Sequence, residues 1–121
     1  MNAIFNSIEE KYFFKLSILV MISDFEPHEN EYNLIYDTLE KKLGFQIDIE
    51  DFHEIVDEVN RNIFEYQSIR ETAKRFANQI ENKRWRQRIL DFCEDVLWAD
   101  GIKRSEEEEI ISILKESWFL P

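Results

Sequence analysis

Glycine and proline are both scarce, with two of each in 121 residues. That shortage excludes a loop-rich or turn-dense β architecture and favours long, uninterrupted helices. Cysteine is rarer still. Cys93 alone admits no intrachain disulfide and fits a cytosolic home. Set among Phe92, Val96 and Leu97, it reads as a small core residue rather than a nucleophile. Only two histidines occur. His28 reads as an exposed first-turn residue, and His53 has no nearby histidine or cysteine to complete a zinc set. Neither has a recognisable serine or cysteine partner for nucleophilic catalysis, and no glycine-rich phosphate loop is present. Long apolar runs are missing as well: Leu16 to Ile22 is too short to span a membrane and follows Glu9, Glu10 and Lys11, unlike a signal peptide. Together these absences predict a cytoplasmic chain that is not an enzyme and has no membrane span.

Positive charge is also in short supply. Fifteen Lys and Arg face 26 Asp and Glu, a formal charge of −11. Phosphate binding needs a clustered basic surface, so nucleic acid is excluded as a partner. The densest basic stretch, Lys83-Arg84-Trp85-Arg86-Gln87-Arg88, reads as the solvated start of an amphipathic helix. The acidic surplus favours a basic protein partner or hydrated cations, or serves solubility. Carboxylate pairs such as Glu9/Glu10 and Asp57/Glu58 are no acid–base site, because adjacent residues on a helix diverge.

What is abundant is apolar sequence, 44% of the chain with 14% aromatic, enough for one folded domain over residues 1–121. Helical spacing recurs almost throughout. A first helix over about Ser7 to Ser23 opens on the capping box Ser7-x-x-Glu10 and carries Ile8, Tyr12, Leu16, Leu19 and Val20, widened by Phe13 and Phe14. A second starts near Pro27 and ends at Gly44; a third runs from about Glu50 to Ile63. Ser68-x-x-Glu71 opens a fourth, Lys83 to Ala99 forms a fifth, and Ser105-x-x-Glu108 caps the last. Phe45 to Ile49 alternates briefly but reads as a connection between helices. Trp98 and Trp118 read as core around the last hairpin, with Trp118 and Phe119 as an exposed docking patch the alternative. The expected fold is all-α, a bundle of about six to seven helices.

Two corners of that bundle match. Trp98-Ala99-Asp100-Gly101 ends an apolar run, Glu107 follows seven positions past the aspartate, and Ile110-Ile111 opens the next helix. Upstream, Asp24, Glu31 and Leu34-Ile35 repeat this at an offset of 76 positions. The chain therefore reads as two pseudo-repeated helix–acidic loop–helix units.

The pattern Ala99-Asp100-Gly101, Glu107 and Ile110-Ile111 resembles the signature of TerB-like domains, the tellurite-resistance TerB proteins and relatives that include the N-terminal region of DjlA-type co-chaperones. The resemblance takes in both corners and the helices linking them. The first corner departs from the pattern, with Phe25 where the family commonly has glycine and Pro27 arriving early. The resemblance implies an all-α fold of repeated helical hairpins, acidic loop residues that ligate a divalent cation, and a role in stress response. It implies no defined reaction.

Calcium and magnesium take carboxylate and carbonyl oxygens, which a loop between helices can turn toward one point. Asp100 with Glu107, and Asp24 with Glu31, are the candidate ligands for Ca²⁺ or Mg²⁺. Neither loop is an EF-hand, and Lys103 and Arg104 weaken any affinity of the second. The same residues also suit a metal-free role, glutamates complementing a helix dipole and aspartates organising a turn. A metal-independent interaction module, or a homodimer through a face holding Tyr32, Tyr36 and Phe64, is the alternative reading.

Overall fold

A computed structural model describes residue 5 and residues 7–24, 29–97 and 105–119; at 23–24, 29–31, 34, 96–97 and 105–108 it describes the backbone alone. Six helices account for nearly all of it: α1 (Ile8–Asp24), α2 (Glu29–Leu43), α3 (Ile49–Tyr66), α4 (Ile69–Ala77), α5 (Lys83–Leu97) and α6 (Ser105–Ser117). No strand occurs among the described residues.

The helix boundaries follow the punctuation in the sequence. Ser7 Oγ accepts from Glu10 N at 3.1 Å and Ser68 Oγ from Glu71 N at 2.9 Å, each satisfying a first-turn donor that has no intrahelical partner. Gly44, at φ +71°, closes α2 by donating its N–H to Glu40 O at 3.0 Å, a left-handed turn that costs glycine little. The segment 44–48 is a connection without regular structure despite its brief alternation, and Ile49 already belongs to α3. The Pro27 start of α2, Ala99 and Trp98 lie outside the described residues.

At the centre runs α1, which contacts all five other helices. Every residue from Phe13 to Met21 is buried, so α1 has no solvent face over two and a half turns. A helix apolar on all sides is stable only when surrounded, and the other five enclose it. The expected one-sided stripe is therefore corrected: Ile8, assigned to it, is 69% exposed, while Ser17 and Lys15 lie inside. Ser17 donates its hydroxyl to Phe13 O at 2.8 Å, which meets its polar requirement within the helix.

The remaining helices are one-sided. Phe52, Ile55, Val56 and Val59 of α3, and Thr72, Ala73, Phe76 and Ala77 of α4, turn inward. Ile89, Phe92 and Cys93 of α5 join them, as do Ile110, Leu114 and Trp118 at the α6 end. Aromatic rings interlock around α1, Phe14 edge-on to Phe45 at 4.6 Å and Phe13 against Trp85 at 5.8 Å. Trp118 completes the core and donates Nε1–H to Ala77 O at 2.9 Å; Phe119, one residue on, is 95% exposed.

Long-range polar contacts fix how the connections sit. Glu9 Oε1 accepts from Glu81 N at 2.7 Å and Asn82 N at 3.2 Å, tying the start of α1 to the entry of α5. At the basic start of α5, Lys83, Arg84, Gln87 and Arg88 are exposed and Arg86 is half-buried. Arg86 donates Nε–H to Ile80 O at 2.8 Å and lies over the Trp118 ring, and Arg88 donates to Leu43 O and lies over Phe13. Both lie over aromatic rings while bonding backbone carbonyls, one in the connection after α4 and one at the end of α2.

Candidate functional site

Of the four acidic residues singled out by sequence, Asp100 lies outside the described residues. Asp24 is the last residue of α1, Glu31 the third of α2 and Glu107 the third of α6. Their side chains also lie outside the described set, as does His28. Among the described residues, no group of three or more His, Cys, Asp or Glu side chains is arranged to hold a metal ion. His53 packs edge-on to Tyr32 at 6.3 Å and against Phe52 at 5.6 Å, an exposed ring at the rim of the core. Cys93 is fully buried, and burial first, then the nearby Glu94 carboxylate, pushes its thiol up to about 12. A thiol held protonated in this way is not a nucleophile.

The unusual chemistry lies elsewhere, around Lys15. Its side chain is 4% exposed, in the middle of the buried run of α1. Three things keep the charge there. Nζ donates to Glu58 Oε1 of α3 at 3.3 Å, and it stands 4.7 Å from the Phe76 ring centre and 5.1 Å from that of Tyr12. The carboxylate supplies a counter-charge and the ring faces a diffuse negative potential. Burial nonetheless lowers the Lys15 pKa; Glu58 pulls it back in part, and Lys11 and Arg61 repel its proton further. On Glu58, burial acts upward, but Lys15 and Lys11 outweigh it and hold the carboxyl below its usual range. Lys11 adds its own pair with Glu58 Oε1 at 3.2 Å.

Beside this cluster a cleft of about 190 Å³ opens between α1, α3 and α4. Lys15, Tyr66, Arg75 and Phe76 form part of its wall. Arg75 lies over Tyr66, its Cζ 4.3 Å from the ring centre, and gives Nε–H to Glu71 Oε1 at 3.3 Å. Asn62 also lines the cleft, and its Oδ1 is buried with no hydrogen-bond partner among the described residues. An unpaired buried oxygen is rare in a native protein and calls for an explanation.

Sequence reasoning missed this cluster. One signal was available: Lys15 is the only charged residue between Tyr12 and Ile22. A charge inside an apolar run needs a partner wherever the run is buried. That the partner is Glu58, 43 residues on, has no signature in the linear sequence.

No helix among the described residues is long and apolar enough to cross a membrane. No family model, curated protein or solved structure matches this chain.

Proposed function

We propose that the chain is a TerB-like, non-enzymatic cytosolic module of a stress-response pathway. Its two acidic corners, Asp24 with Glu31 and Asp100 with Glu107, each take a divalent cation weakly, Ca²⁺ or Mg²⁺, or dock a basic partner. The observation that carries the reading is one of register. α2 begins at Glu29 and α6 at Ser105, 76 positions apart, so Glu31 and Glu107 are both the third residue of a helix. That offset is the one relating the two acidic motifs. Equal placement of a carboxylate in two first turns supports a pseudo-repeat, and first-turn carboxylates beside a chain reversal are suited to a shared oxygen-ligand site. The cation, when bound, would bridge the end of one helix to the start of the next and add to stability; it supplies no reaction here.

The test is thermal unfolding of chelator-stripped protein against Ca²⁺ and Mg²⁺, beside an Asp100→Asn/Glu107→Gln variant. A saturable rise in Tm in the wild type, lost in the variant, supports the reading, because a ligand of the native state stabilises by RT ln(1 + [L]/Kd). Equal, unsaturated rises in both reduce the effect to screening of an acidic surface. A metal-independent interaction module is favoured by a different observation, the exposure of Phe64 (85%) on α3 and Phe119 (95%) after α6.

A further inference from the structure

Three observations converge on the cleft between α1, α3 and α4, independently of the acidic corners. The first is the unpartnered, buried Asn62 Oδ1. Closed to solvent as it stands, Oδ1 meets a ligand only once the amide turns, and it then accepts an ordinary hydrogen bond. The terminal torsion of asparagine is soft and roughly two-fold, so turning Oδ1 toward the cleft costs little.

The second is local charge. In a chain of net −11, this neighbourhood is cationic: Lys15 and Arg75 line the cleft, and Lys11 and Arg61 are close enough to repel the Lys15 proton. Glu58 and Glu71 offset part of this. The third is spare donor capacity. Among the described residues Arg75 gives Nε–H to Glu71 and holds its guanidinium over the Tyr66 ring, which leaves both terminal nitrogens for a ligand. Stacked guanidinium groups are suited to planar, two-oxygen anions.

We propose that this cleft binds a small hydroxycarboxylate. The carboxylate pairs with the terminal nitrogens of Arg75 in the field of Lys15, and the hydroxyl donates to Asn62 Oδ1. A hydroxyl suits the site better than an ammonium, which the surrounding cations repel. At about 190 Å³ the cleft has room for a small molecule of this kind and falls below the usual range of drug-sized sites.

The test is titration of ¹⁵N-labelled full chain with glycolate, and with acetate as the same carboxylate without a hydroxyl, at matched ionic strength. Glycolate is expected to bind saturably, about five- to tenfold more tightly than acetate, with shifts centred on Asn62, Tyr66 and Arg75. Asn62→Ala should reduce glycolate to the level of acetate, and Arg75→Gln, at a 56% exposed side chain, should weaken both without unfolding the chain. Equal affinity for the two anions, binding indifferent to Asn62→Ala, or no saturable binding overturns the proposal and assigns the Asn62 site to a structural water.

Discussion

Lys15 Nζ lies 3.3 Å from Glu58 Oε1, joining the least exposed charge of α1 to a carboxylate on α3 that is 32% exposed. The pair is asymmetric. Glu58 retains water on one side, whereas among the described residues Lys15 meets the carboxylate and two ring faces. Removing the carboxylate therefore harms more than removing the amine. Glu58→Gln should destabilise the chain by about 1–3 kcal/mol, below the full cost of breaking a fully buried pair because Glu58 is partly solvated. Adding Lys15→Met should recover much of that loss. Urea unfolding of the wild type, single and double variants measures both steps.

The same pair sets a pH dependence. The folded-state pKa of Glu58 is depressed, so its contribution is complete above the ordinary glutamate value of 4.5 and is lost as pH falls through the folded value. The stability gap between wild type and Glu58→Gln should therefore close on acidification below 4.5. Lys15 acts at the other end. Its folded pKa is lowered, so between that value and 10.5 the unfolded chain holds more protons and stability from this group rises with pH. Lys15→Met should remove that rise.

Asn62→Leu should raise stability by up to about 1 kcal/mol, because the half-buried amide can turn Oδ1 to water and so carries only part of the penalty of an unpaired buried oxygen. The measurement is chemical denaturation without added carboxylate.

Cys93 should label only when the chain opens. With the thiol raised to about 12 and the side chain fully buried, its alkylation rate at pH 8 should follow global unfolding, and Glu58→Gln should accelerate it.

Local features were legible in the sequence because their physics is local. Ser7, Ser68 and Gly44 mark helix ends through bonds three or four residues away, and the structure uses them so. The one-sided faces of α3 and α4 follow from spacing alone. In α1 the residues at helical spacing suggest one face, but Ile18, Met21 and Ile22 make the run apolar on all sides, the pattern of an enclosed helix. The Glu9 bonds to Glu81 and Asn82, Arg86 on Ile80 O and Trp118, and Lys15 with Glu58 depend on which helices meet, which no local pattern encodes. The acidic corners announce themselves by their 76-position offset. Whether two carboxylates converge on one point is a matter of side-chain geometry, on which spacing is silent.

The acidic corners are tested most directly by titrating ¹⁵N-labelled protein with Mn²⁺, an oxygen-seeking ion whose paramagnetism broadens nearby signals. Saturable broadening is expected, confined to residues 24–31 and 98–107 and reversed by excess Mg²⁺ or Ca²⁺. Broadening that never saturates and spreads along exposed acidic faces, such as Glu54 and Asp57 of α3, would contradict cation binding at these corners.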